Sequence, residues 1–123
     1  MNYFENYDLL LEDFKYWENK KLYLKLMEKF THERIDGTQF DTELCQMWKA
    51  DRDKIYSSKE WVNKIEHVDL TKLKGFSDLI SELFTDCDIF QPDSALRYDY
   101  EISEEELRNR AKKTLLEIKN RYP

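Results

Sequence analysis

The stretch FSDLISELFTDCDIFQPDSALRYDYEISEEELRNRAKKTLLEIKNR, Phe76 to Arg121, decides the fold. Phe76, Leu79, Ile80, Leu83 and Phe84 recur at helical steps and make a broad apolar stripe, which predicts a helix from about Thr71 or Phe76 to Cys87 in a central bundle position. Pro92 forces Gln91 away from helical geometry, so a non-helical connection is expected over about Ile89 to Ile102. Phe90, Tyr98, Tyr100 and Ile102 carry too much apolar surface to be left in water, so this connection is expected to pack. Ser103-Glu-Glu-Glu106 is a capping box whose three carboxylates also suit the positive end of a helix dipole. Leu107, Ala111, Leu115 and Ile118 then line one face of a last helix, to about Arg121.

Towards the N terminus, Tyr7, Leu10, Leu11, Phe14 and Trp17, then Tyr23, Leu26, Met27 and Phe30, predict helix from about Tyr7 to Glu33, with a break near Glu18-Asn19. Asp36-Gly37 reads as a turn, with Gly37 free to take positive φ. Thr38 is the expected N-cap of a third helix carrying Phe40, Leu44, Met47 and Trp48. Ser57-Ser-Lys-Glu60 is a second capping box, opening a short helix through Trp61, Val62 and Ile65. Asp69-Leu70-Thr71 turns into the Phe76 helix.

Two Gly and two Pro among 123 residues leave few tight turns, which disfavours a β-sandwich or barrel. The fold expected is an all-α, antiparallel four-helix bundle with additional N-terminal and short helices, in one domain spanning residues 1–123. Charged residues are 37% of the chain, but 15% aromatic content argues against disorder. Met1 to Asp13 has no basic leader and is broken by Glu5, Asp8, Glu12 and Asp13, so neither a signal peptide nor a membrane span is expected. Cys45 and Cys87 form neither a disulfide framework nor a metal pattern, and the default location is cytoplasmic.

Catalytic chemistry finds little support. His32-Glu33 lacks the second His of a zincin pattern, because position 36 is Asp, and neither His32 nor His67 follows a Glu at the spacing of a di-iron site. Gly37 and Gly75 stand alone, so there is no phosphate loop. No acid, base and nucleophile can be named that converge; the expectation is a protein that is not an enzyme and uses no metal or cofactor. Lys15 to Lys29 interleaves lysines with Tyr16, Trp17, Tyr23 and Phe30, the ingredients of an RNA-stacking surface, but the aromatics lie at core spacing. A solvated lysine face over a packed aromatic face is the favoured reading.

The acidity is local. Glu82 to Glu106 holds nine acids and one base, Arg97, and carries −8, leaving 17 acids and 19 bases elsewhere, or +2. Capping accounts for Glu104 to Glu106. It does not account for Asp86, Asp88, Asp93 and Asp99, which repel one another around a Pro turn, a cost that a basic partner relieves.

The same stretch carries a family resemblance. Leu83-Phe84, then Phe90-Gln-Pro92-Asp93, Arg97, Tyr100-Glu101-Ile102 and the amphipathic helix Leu107 to Lys119 resemble the colicin D immunity proteins, small helical inhibitors of a toxin that cuts tRNA in the anticodon loop. Phe30 to Asp53 resembles the family's earlier helix pair more weakly, and the likeness covers about residues 22 to 123. It implies a bundle that plugs a basic nuclease cleft, its carboxylates standing in for RNA phosphates. By position it assigns toxin contacts to Asp88 and Asp93, with Asp86, Asp99 and Glu101 as neighbours. The expected partner is therefore a basic nuclease toxin domain, with no direct contact to nucleic acid or membrane. Competing readings keep the fold but bind another partner, as a scaffold or accessory subunit, or bind RNA through Lys15 to Lys29.

Overall fold

The computed structural model describes residues 7–123; Met1–Asn6, part of the segment read above for a leader, lie outside that description, as do the side chains of Tyr7–Leu9 and Ser58. The described chain is all-helical: α1 (Tyr7–Glu18), α2 (Lys20–Thr31), α3 (Gly37–Asp53), α4 (Ser58–Ile65), α5 (Leu70–Asp88) and α6 (Glu104–Arg121). Helices α1 and α2 run in series and, with α3, α5 and α6, build the bundle, while α4 is a short addition. α2 packs on α3 and α6, α1 on α3 and α5, and α5 on α6.

The break expected near Glu18-Asn19 falls at Asn19, whose side-chain amide donates to Asp51 of α3. A polar residue leaves the helical ladder there to satisfy a buried carboxylate. The α2–α3 turn corrects two expectations. Asp36, not Thr38, is the N-cap, its carboxylate accepting from the Gln39 N–H at 2.8 Å. Gly37 does not take positive φ; Glu33 does, at 59°. Glu33 N–H reaches the Phe30 carbonyl and Arg34 N–H the Lys29 carbonyl, the paired bonds of a Schellman ending with a Glu where glycine is usual.

The remaining caps follow the sequence. Ser57 and Ser103 accept from the Glu60 and Glu106 amides, and Asp69 starts α5 at Leu70 by accepting from Thr71 and Lys72. Between the helices Tyr23, Met27, Phe30, Phe40, Phe76, Ile80, Leu83, Leu107 and Ile118 are fully buried. Phe30 stacks on Phe40 with centroids 4.3 Å apart; removing such a ring costs about 3–5 kcal/mol. A second, smaller core of Leu10, Phe14 and Leu73 is closed by Tyr56, Trp61 and Ile65.

Candidate protein-binding surface

The acidic segment begins in the last turn of α5. Asp86 and Asp88 sit at the C-terminal end of that helix, where no basic residue accompanies them and the helix dipole disfavours negative charge. Asp86 is compensated from α6: Arg110 donates to it at 2.8 Å and to Glu106 at 3.0 Å, and the Asp86 side chain is only 13% exposed. Asp88 is exposed and has no ion-pair partner among the described residues.

Beyond α5 the chain is pinned rather than loose. Phe90 and Ile102 form an isolated bridge, with Gln91 N–H on the Ile102 carbonyl (3.0 Å) and Ile102 N–H on the Ile89 carbonyl (2.7 Å). After Pro92, Asp93 accepts from the Ala95 N–H at 2.9 Å, and Glu101 accepts from the Tyr98 N–H at 2.9 Å. Arg97, the one base of the segment, donates to the carbonyls of Gln91 (2.9 Å) and Pro92 (3.4 Å). It therefore braces the backbone and makes no ion pair with any of the neighbouring acids. Asp93 and Asp99 are exposed and Glu101 is half-buried.

One apolar expectation divides here. Ile102 is buried and Phe90 packs against the core, but Tyr98 and Tyr100 do not pack: they are 67% and 68% exposed. The bridge pulls Phe90 and Ile102 inward and leaves the excursion between them on the surface.

Two contributors were missed at the sequence level. Glu104 is more than a first-turn acid, since its carboxylate accepts from the Gly37 N–H at the start of α3 and pairs with Arg108 at 3.3 Å. A methyl group on Gly37 would come 2.6 Å from Phe90 Cζ, so this glycine is needed for a close approach. The signal was a glycine at the first helical position, where its conformational freedom is not used.

The other candidate chemistries find different placements. Among the described residues no group of three or more His, Cys, Asp or Glu could hold a metal ion, and no helix is long and apolar enough to cross a membrane. Cys87 is buried and Cys45 half-buried, both unpaired, and burial raises each thiol pKa. Tyr16, Tyr23 and Phe30 lie in the core with Trp17 packed against it, so the rings a lysine-lined RNA surface requires are not on offer.

A helical bundle that sets a braced acidic excursion on its surface has the build of a protein that acts by contact with another macromolecule. The profile of the bacterial self-protective colicin-like immunity family matches residues 20–118, and the chain belongs to that family. It is an immunity protein, of the class that inhibits a colicin-like toxin. The match begins at the first residue of α2, leaving α1 outside it. No curated protein and no solved structure matches the chain.

Proposed function

We propose that this immunity protein is of the colicin D type and blocks the active site of a tRNA-cleaving ribonuclease toxin, its acidic connection occupying the basic cleft where RNA phosphates would lie. The observation that carries the reading is the unbalanced charge of that connection. Asp88, Asp93 and Asp99 have no cationic partner among the described residues, and Arg97, the one base between Glu82 and Glu106, is turned to the carbonyls of Gln91 and Pro92. Carboxylates without a cation give this part of the surface a negative field, and a cleft built for polyanions complements it. Asp88 and Asp93 are the proposed contacts, with Asp99 and Glu101 beside them. Asp86, held by Arg110, adds to the field from behind. Electrostatic steering by such a surface speeds association with a basic cleft.

The test is protection of tRNA from two probes: the tRNA-cleaving domain of colicin D, and the nuclease domain of a toxin encoded beside this chain's gene. Near-stoichiometric protection against either is expected. Cleavage undiminished by a large molar excess of the protein against both would overturn the reading.

A further inference from the structure

Charge alone does not account for the apolar face of the connection. Tyr98 and Tyr100 are two-thirds exposed, Leu96 is 64% exposed, and the two rings lie parallel, 5.9 Å between centroids and 3° between planes. Three large apolar side chains thus reach solvent within five residues.

A mobile loop would explain this cheaply, but the frame is fixed. The Phe90–Ile102 bridge closes its base. Within it, Leu96 N–H reaches the Asp93 carbonyl at 3.1 Å, and Tyr98 and Glu101 exchange bonds, the Glu101 N–H donating to the Tyr98 carbonyl at 3.0 Å. Arg97 ties the middle back to Gln91 and Pro92. Rings presented on a braced frame can be covered by a partner without the entropic cost of ordering the loop, and tyrosine is among the residues that anchor protein interfaces.

The surroundings specify what covers them. Asp99 lies between the two tyrosines in sequence, with Glu101 next to Tyr100. Elsewhere this chain caps its aromatic faces with its own cations: Arg108 lies 4.8 Å from the Phe30 ring centre, Arg52 5.2 Å from Trp48 and Lys20 4.5 Å from Trp17. Among the described residues no cation lies over Tyr98 or Tyr100. Electron-rich faces beside unpaired carboxylates suit a guanidinium or ammonium group.

We propose that Tyr98 and Tyr100, with Leu96 beside them, are the anchor of the toxin interface, their ring faces receiving cationic side chains of the toxin's phosphate-binding cleft. This rests on the nuclease reading above and adds where the binding strength resides: the carboxylates steer, and the rings hold.

Binding kinetics against the same two nuclease domains separate the claims. Y98F/Y100F keeps the ring faces and is expected to bind within about threefold of wild type. Y98L/Y100L keeps apolar bulk without the π-faces and is expected to lose about 30-fold, mostly through faster dissociation. D88N/D93N is expected to act mainly on the association rate and its salt dependence. Both tyrosine variants should retain wild-type helicity, because neither ring belongs to the core. If Y98L/Y100L binds like wild type while D88N/D93N weakens binding, the anchor is overturned and the nuclease reading stands. If wild-type protein binds neither domain, both are overturned.

Discussion

The junction of α1, α2 and α3 and the connection between α5 and α6 use the same side chain in opposite ways. At the junction and along α1, carboxylates are given partners from within the chain. Asp51 is 4% exposed, accepts from the Tyr23 hydroxyl at 2.6 Å and from Asn19, and interrupts a helix to do so. Asp13 is buried and accepts from Ser77. Glu18 gathers Lys54 and Lys64 at 3.0 Å each, together with the Tyr56 hydroxyl. At the end of α5 and on the connection, Asp88, Asp93 and Asp99 are left in water without a cation, and the local arginine is turned to carbonyl oxygens. Asp51, Asp13 and Glu18 draw their partners from within the chain; Asp88, Asp93 and Asp99 have capacity left for another molecule.

The largest stability effect is expected at the junction. Asp51→Ala strands the Tyr23 hydroxyl and the Asn19 amide and should cost about 3 kcal/mol in denaturant unfolding. Gly37→Ala probes the link between the regions: the methyl meets Phe90 and Glu104, and a loss of about 1–2 kcal/mol is expected. Faster hydrogen exchange at the Gln91 and Ile102 amides would trace that loss to the bridge.

Acid titration should separate the regions next. Burial opposes the charge on Glu18, but bonds from Tyr56, Lys64 and Lys54 outweigh it and lower its pKa from 4.5 to about 2. With the folded value depressed, its contribution is complete above the unfolded value and is lost as pH falls towards 2. Burial raises the Asp51 pKa against its bonds from Tyr23 and Asn19, so protonation favours its folded form and it works in the opposite sense. Glu18→Gln should therefore flatten the loss of stability between about pH 5 and pH 2, read from melting temperatures of the two proteins. Glu33→Gly relieves a left-handed residue and should gain about 0.5–1 kcal/mol. Asp99→Asn, on the connection, should change stability by less than about 0.5 kcal/mol; a larger loss would blur the contrast.

The helices were readable because apolar residues recur at helical steps and because Ser57, Asp69 and Ser103 stand just before them. The break at Asn19 was visible as a lapse in that recurrence, although its cause, Asp51, is 32 residues away. Asp36 and Thr38 are both good caps two residues apart, and the Schellman turn at Glu33 decides between them by ending α2 where it does. Asp86 looked like a free acid because Arg110, 24 residues on, reaches it only once α5 and α6 are packed. The tyrosines misled for a related reason: alternation of bulky groups along a loop does not say which of them the bridge turns inward. Exposure and pairing are properties of packing, and neither is local.

The most direct test of the contrast is a paired measurement on D88K/D93K: unfolding free energy, and affinity for the toxin nuclease domain that the wild type protects against. Stability within about 0.5 kcal/mol of wild type and an affinity loss of about 1,000-fold, or about 4 kcal/mol, are expected. Undiminished affinity would contradict the account, as would a loss of stability matching that of Asp51→Ala.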